Sequence, residues 1–334
     1  MSFETINLEK GMYKTAGRSF SQVLESLDPS EHYKGTALEG LDAYQRQLKR
    51  FDIKVSGTGS DAVEKFFSTT QSAALFPEYV SRAVSAGMEQ ADLLSSIVAT
   101  VTKIEGMDYR TITSVAGANG NQLEVVKETE EIPETVIKTQ DNLITLKKRG
   151  RMLVASYEAI RFKRLDLFTV TLKQIGAYIA RSQLSDAVDV LIDGDGNNNP
   201  ADTVSLATTG AITYADFINL WNELDPYEMT TVITNPAMLS KILALNEFKS
   251  PEAGTGFSAN GKLITPLGAT LIRSGDVPTG TVLALDNRCA LEMVQASDVL
   301  IEYDKLIDRQ LERAAISTVS GFAKIFPDAV KTLA

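Results

Sequence analysis

The sequence predicts an α+β fold of mixed connectivity, and three observations carry that reading. One helical period runs unbroken from Arg164, with apolar residues at Leu165, Phe168, Leu172, Ile175 and Ile179, then at Leu184, Val188 and Leu191. That is the spacing of one helix face. The period stops at Asp193-Gly194-Asp195-Gly196-Asn197, ahead of Pro200, a strong helix terminator. Second, short β-branched runs lie on both sides of this helix without the regular strand–helix alternation of a parallel sheet. Third, the segment between residues 105 and 142 is charged and rich in turn residues, as a protruding two-stranded arm would be.

At nearly thirty residues the long helix would measure roughly 40 Å, enough to span a domain. Asp166, Lys173, Gln174, Arg181, Asp186 and Asp189 make it too polar to cross a membrane. The 334 residues hold core for two or three domains, and 44% hydrophobic with 23% charged residues is an ordinary globular composition. Forty-three acidic against thirty-three basic residues give a net charge of −10. This disfavours a dedicated nucleic-acid binder, which carries a basic face, but does not exclude a surface that only encloses nucleic acid without adhering to it. Cys289 is the sole cysteine, so no intrachain disulfide forms and folding in a reducing cytoplasm is expected. Met1-Ser2-Phe3-Glu4-Thr5 lacks the basic start and apolar run of a signal peptide.

Residues 1–75 read as an arm. Thr36 and Glu39 have the spacing of a capping box, and Leu41, Tyr44, Leu48 and Phe51 then share a helix face. That stripe is too small for a core of its own, so it packs either on its own subunit or on a neighbour. A short helix is expected to start at Pro77. Residues 97–104 read as a strand, 122–127 and 135–138 as the two sides of the arm, and 143–157 as a long strand returning to the body. After the long helix, 201–212 is strand and turn. Thr213, with Asp216 three residues on, caps a helix whose stripe is Phe217, Leu220, Trp221 and Leu224. Residues 230–234 form a buried strand, and Asn235-Pro236 opens another helix, asparagine as N-cap and proline in the first turn. A Gly/Ser/Asn/Ala loop at 249–261 precedes strands at 269–273, 281–285, 299–303 and 313–319.

Residues suited to catalysis are few. His32 is the only histidine and stands far in sequence from Cys289, so neither a Ser-His-Asp nor a Cys-His arrangement is expected. One cysteine and one histidine cannot make a closed Cys/His zinc site. Gly254-Thr255-Gly256 lies in a loop, not between a strand and a helix, and is no phosphate-binding fingerprint. Read as a calcium loop opening at Asp193, position six is Asn198 and position twelve Val204, where glycine and glutamate are required. A helix stop is the reading favoured. No catalytic residue, metal or cofactor is predicted.

The order of these elements resembles the tailed-phage major capsid protein of the Hong Kong 97 type. Residues 126–134, with Glu130-Glu131-Ile132-Pro133, look like the tip of that family's extended loop, and 143–160 like the strand and turn that feed its spine helix. Ile192 to Gly196 looks like the Gly-Asp-Gly stop of that helix. Thr231-Val232-Ile233-Thr234-Asn235-Pro236-Ala237 is similar to a strand–helix element of its axial domain, and 267–271 with 283–286 look like its closing strands. The resemblance covers residues 76–334. It implies an N-terminal arm at 1–75, the start of a peripheral domain at 76–105, an extended hairpin loop at 106–142, the peripheral domain with its spine helix at 143–200, an axial domain at 201–297 and returning strands at 298–334. It further implies a non-enzymatic subunit forming hexamers and pentamers of an icosahedral shell around double-stranded DNA, without sequence-specific binding and without a membrane. The shell would be assembled in the host cytoplasm, with portal, scaffold or decoration proteins as further partners. Starting at Met1, the arm is expected to be retained. Some relatives cross-link a lysine to an asparagine; Lys127 and Lys138 lie in the corresponding loop, but no asparagine or assisting acid is identified, and cross-linking is not predicted.

Charge suggests how copies meet. Glu124, Glu128, Glu130, Glu131 and Glu134 make the arm acidic, whereas Lys147, Lys148, Arg149, Arg151, Arg161, Lys163 and Arg164 make the following segment basic. The acidic arm is expected to dock on the basic segment of the next copy, the alternative being two solvated faces. The 249–261 loop is the candidate for a crowded symmetry axis, or else a surface loop. Two other readings stand beside the capsid: an encapsulin-like bacterial compartment, which shares the fold, and an unrecognised α+β enzyme or binding module.

Overall fold

A computed structural model describes residues 3–14, 18–115, 136–156, 163–208, 211–249, 263–306 and 311–334. The chain divides into two compact units, each assembled from separated segments. The first holds residues 1–91, 149–180 and 299–318; the second holds 92–148, 181–298 and 319–334. Long continuous stretches of chain pass residues to both units.

In the first unit, α1 (Phe20–Leu27) and α2 (Ala43–Arg50) each start at a reciprocal capping box, Ser19 with Gln22 and Asp42 with Gln45. The expected box at Thr36 and Glu39 is instead a turn. The Thr36 hydroxyl donates to the Tyr33 carbonyl at 2.7 Å, and Glu39 accepts from the Gly35 N–H at 2.9 Å. After α3 (Thr70–Ala73), α4 (Phe76–Gln90) carries proline in its first turn and is longer than a short helix. Tyr44 and Leu48 of α2 join Phe20, Leu24, Phe66, Phe76, Tyr79, Val84, Leu165, Leu172 and Ile179 in one buried cluster. The N-terminal stripe thus packs on other segments of the chain, as a stripe too small for a core of its own must. Its partners are aliphatic and aromatic residues from stretches of chain as far apart as Phe20 and Ile179, which periodicity does not reveal. Of the two docking alternatives, packing on the same subunit is the arrangement found. Beneath α2, the buried Arg46 gives its Nε to Asp28 Oδ2 at 2.6 Å, so its charge is paired inside the unit.

The long helix α5 (Leu165–Asp193) has the 29 residues that the apolar period outlines. Its first part belongs to the first unit and residues 181–193 to the second. Where α4 crosses it, both helices carry glycine: a Cβ on Gly176 would stand 2.0 Å from the Val84 carbonyl oxygen, and one on Gly87 would stand 2.1 Å from that of Lys173. Only glycine permits such an approach.

The second unit is organised by a five-stranded sheet of order β5 (Asp202–Val204), β11 (Val330–Leu333), β8 (Val282–Leu285), β6 (Thr231–Thr234), β7 (Thr270–Arg273). The central pairs set Val232 against Leu271 in parallel and against Ala284 in antiparallel register. β6 and β8 are buried along their whole length, as apolar strands covered on both faces should be. Alternation sends Ile233, Ile272, Leu283, Leu285 and Val330 into one cluster with Leu184, Val188 and Leu191 of α5. Val232, Leu271, Val282 and Ala284 enter another, under Phe217 and Leu220 of α6 (Tyr214–Glu223) and Met238 and Ile242 of α7 (Pro236–Leu243). The capping box at Thr213 and Asp216 and the Asn235 N-cap form as their sequences require. Trp221, expected in the buried stripe, is exposed; Phe217, Leu220 and Leu224 fill the face.

A four-stranded sheet has the order β1 (Thr100–Lys103), β9 (Leu291–Leu306), β10 (Leu311–Lys324), β4 (Lys147–Ser156). β1 runs parallel to the start of β9, Thr100 opposite Glu292. The hairpin of β2 (Ile112–Val115) and β3 (Val136–Thr139) is the described part of the arm, antiparallel, with Ile112 opposite Thr139. β3 falls where a strand was expected. The 122–127 run and nearly all of the 249–261 loop lie outside the described residues. Among the described residues, no helix is long and apolar enough to cross a membrane.

Candidate functional site

Of the sequence-predicted contact residues, Glu124, Glu128, Glu130, Glu131, Glu134 and Arg161 lie outside the described residues. The others are placed as follows. In the first unit, Arg164 donates to the carbonyls of Gly57 and Thr58 at 3.1 and 2.8 Å and pairs with Asp166 at 3.2 Å. The Lys163 carbonyl accepts from the Val63 N–H at 2.9 Å, and the Leu165 N–H donates to Asp61 at 2.8 Å. The segment entering α5 is thus stitched to residues 57–63 by backbone bonds, with the Lys163 side chain left exposed. Arg151 lies with its guanidinium 5.7 Å from the centre of the Tyr178 ring, an attractive placement over an aromatic face. Arg149 is half-buried. In the second unit, Lys147 pairs with Asp186 at 2.7 Å and Lys148 is exposed. Lys147 and Arg164 therefore already have partners within their own chain.

The sequence did not single out the apolar groups that the first unit leaves in solvent. On α5, Leu167 and Val170 are 59% and 62% exposed and Tyr178 is 44% exposed; on β4, Met152 and Val154 are each 53% exposed. Residues 167, 170 and 178 fall outside the buried stripe, 170 opposite it and 167 and 178 towards its flank, and 152 and 154 share one strand face. A signal existed: three large apolar residues stand outside the stripe that the period explains. Exposed apolar groups arranged along an element face are suited to meeting another protein surface.

In the second unit, a cleft of about 260 Å³ is lined by Lys147, Asp186, Asp189, Asp193, Asp195 and Phe322, among others. Burial, reinforced by Asp186, Asp193 and Asp276 against the pull of Lys147, raises the Asp189 carboxyl. Neither His32 nor Cys289 lines the cleft. The Cys289 thiol is pushed up to about 11 by burial and by Asp286, which leaves little nucleophilic thiolate near neutrality.

Next to the cleft, the glycine-rich turn after α5 bonds most of its polar groups within the unit, the Asn199 Nδ2 having no partner among the described residues. Gly194 and Gly196 take positive φ, 92° and 95°. Asp195 accepts from the Asn197 N–H at 3.2 Å with one oxygen and from the Lys324 N–H at 2.9 Å with the other. The Asn199 side chain accepts from the Asp195 N–H at 3.0 Å. Lys324, the last residue of β10, is fully buried and donates its Nζ to the Asn199 carbonyl at 2.9 Å. Burial pushes its ammonium down to about 8, against the attraction of Asp195, Asp202 and Asp193. Among the described residues no group of three or more His, Cys, Asp or Glu side chains is disposed to hold a metal ion.

Comparison with known proteins follows the same line. Residues 139–326, more than half of the chain, match a family described as phage capsid protein. No curated protein sequence matches. Among solved structures, the chain is similar to a virus-like particle from Pyrococcus furiosus, with a TM-score of 0.52 at 16% identity over 77% of this chain and 98% of that one. It is similar to the capsid of a native GTA particle, with a TM-score of 0.52 at 16% identity over 75% of this chain and 89% of that one. It is also similar to a protein of Microbacterium phage Oxtober96, with a TM-score of 0.51 at 11% identity over 72% and 90%. At these identities the likeness is one of fold.

Proposed function

Because this chain belongs to the phage capsid protein family, we propose that its working form is a closed icosahedral shell built from many copies of itself. It is a structural protein of the phage head with a Hong Kong 97-type fold. In the shell its copies form hexamers and pentamers, whose ring contacts join one patch to a different patch on the next subunit. The shell encloses double-stranded DNA without reading its sequence, and the net charge of −10 suits a wall that does not adhere to its contents. Assembly takes place in the host cytoplasm, and portal, scaffold or decoration proteins are its further partners.

The observation that carries this reading is the family match over residues 139–326, a span that holds the long helix and most of both large sheets. The charge distribution supports a docking mode: the acidic arm, with Glu124, Glu128, Glu130, Glu131 and Glu134, reaches the next copy and meets Lys148, Arg149, Arg151, Arg161 and Lys163. Lys147 and Arg164 join them by exchanging the partners they hold within their own chain. Each exposed ion pair contributes about 0–1 kcal/mol and is screened by salt. Exposed Met152, Val154, Leu167 and Val170 supply apolar area that a neighbour can cover. Weak contacts repeated around a shell let subunits bind reversibly until the shell closes.

The test is the double charge reversal Glu130→Lys with Glu131→Lys. The variant should fold with unaltered circular dichroism and melting, yet form few or no shells at low salt. Normal shell yield would refute the docking mode. The contents of purified wild-type particles separate the two shell readings: double-stranded DNA agrees with a phage head, and a protein cargo without DNA would favour a compartment.

A further inference from the structure

The helix stop has more bonds than stopping a helix requires, and they converge with a second cluster on the root of the arm. On the outgoing side, Glu292 of β9 is a buried carboxylate that forms no ion pair among the described residues. It accepts instead from three hydroxyls: Thr102, Tyr109 at 2.7 Å and Thr111 at 2.6 Å. Tyr109 and Thr111 are the residues that lead into β2. On the returning side, just past β3, Asn142 clasps the turn after α5. Its N–H donates to Asn197 Oδ1 at 2.9 Å, and its side chain donates to the Gly196 carbonyl at 2.7 Å. Gln140 donates its side-chain N–H to the Lys324 carbonyl at 3.3 Å. Lys324 in turn holds the turn through its own N–H to Asp195 and its Nζ to the Asn199 carbonyl. The two sides are tied to each other by Gln140 N–H to Thr111 at 2.9 Å and Ile144 N–H to Tyr109 at 2.9 Å.

We propose that Glu292 and the 195–199 turn form a two-point latch that fixes the direction in which the hairpin arm leaves its subunit. Two strands joined only to each other can swing as a unit about their root. Here each strand is fastened to a different element, one to β9 and one to the end of α5 and β10, so rotation about either fastening is blocked by the other. Buried polar groups bonded to one another in this way favour a single arrangement, with Gln140 Oε1 and Asn199 Nδ2 the two buried atoms of the cluster that have no partner among the described residues. The carboxylate is chosen over an apolar residue because it alone accepts three hydroxyls at once. The consequence for assembly rests on the reading of the arm as the part that reaches the next copy: a latched arm meets its neighbour without first losing orientational freedom.

The latch is tested by amide hydrogen exchange on unassembled subunits, so the result does not depend on whether shells form. Asn142→Ala changes an exposed residue and removes its side-chain bond to the Gly196 carbonyl; Glu292→Gln keeps the shape and removes the carboxylate. Each should raise exchange at the Gln140 and Ile144 amides about tenfold, as expected for loss of one or two hydrogen bonds. Amides of β6 and β8 should keep their wild-type rates. Unchanged exchange at Gln140 and Ile144 in both variants would overturn the proposal, and so would equal acceleration in β6 and β8, which would mean general destabilisation. A phage head assembled normally from wild type with no change in variant exchange would refute the latch and leave the capsid reading intact.

Discussion

Replacing Gly176 by alanine sets two opposite effects against each other, and the crossing of α4 and α5 decides the sign. In an isolated helix, alanine for glycine stabilises by about 1 kcal/mol. At this crossing the added Cβ would lie 2.0 Å from the Val84 carbonyl oxygen and 2.8 Å from the Met88 nitrogen. Ordinary contact begins near 3.4 Å, so the helices must separate by about 1.4 Å, and both obstructing atoms are backbone that no rotamer change can move. Separation of that size forfeits dispersion contacts along the interface, where Val84, Leu172, Ile175 and Ile179 are buried together. Overpacking a core costs about 1–3 kcal/mol where side chains can yield; with rigid backbone the upper end applies. A net destabilisation of about 2 kcal/mol remains after the propensity gain is subtracted. Urea unfolding of the soluble subunit, followed by far-ultraviolet circular dichroism, measures it. Gly87→Ala should cost a similar amount, and the double variant less than the sum, since the first alanine already parts the helices. A Gly176→Ala protein as stable as wild type, or more stable, would refute the packing argument.

Two further outcomes follow from particular residues. Lys324 carries a folded-state pKa of about 8 against its ordinary 10.5, so between these values the unfolded chain binds the extra proton and stability rises with pH. At ~1.4 kcal/mol per unit the rise is on the order of 3 kcal/mol, and the difference between wild type and Lys324→Met in melts from pH 7 to 10.5 should show it; parallel curves would contradict it. Asn235→Ala removes the side chain that accepts from the Met238 N–H at 2.8 Å and should cost about 1 kcal/mol in chemical unfolding. No loss would mean the cap is dispensable.

Local chemistry made much of this fold legible. The ends of α5 were written in an apolar period and a Gly-Asp-Gly stop, and the starts of α6 and α7 in Thr213 with Asp216 and in Asn235-Pro236. What stayed hidden depends on pairs distant in sequence. Nothing near Gly87 announces Lys173, and the order of the five-stranded sheet joins β11 to β5 across more than a hundred residues. The N-terminal segment was read as lacking a core because its partners, Phe76, Tyr79 and Leu172, belong to other stretches of chain. Two signals were available and unused: glycines inside otherwise apolar helices, which mark close approach, and Lys324 standing alone in Gly321-Phe322-Ala323-Lys324-Ile325-Phe326. The acidic arm was legible as charge, and the clasp at its root was not, because Glu292 and Asn142 look like ordinary polar residues until the strands bring them to Thr111 and Gly196.

The central claim, a shell built by self-association, is tested most directly by electron microscopy of the purified full-length chain, alone and co-expressed with candidate scaffold proteins. Closed particles of uniform diameter, with fivefold and sixfold clusters of subunits on their surface, are the predicted result. A monodisperse monomer under every one of these conditions would contradict the account.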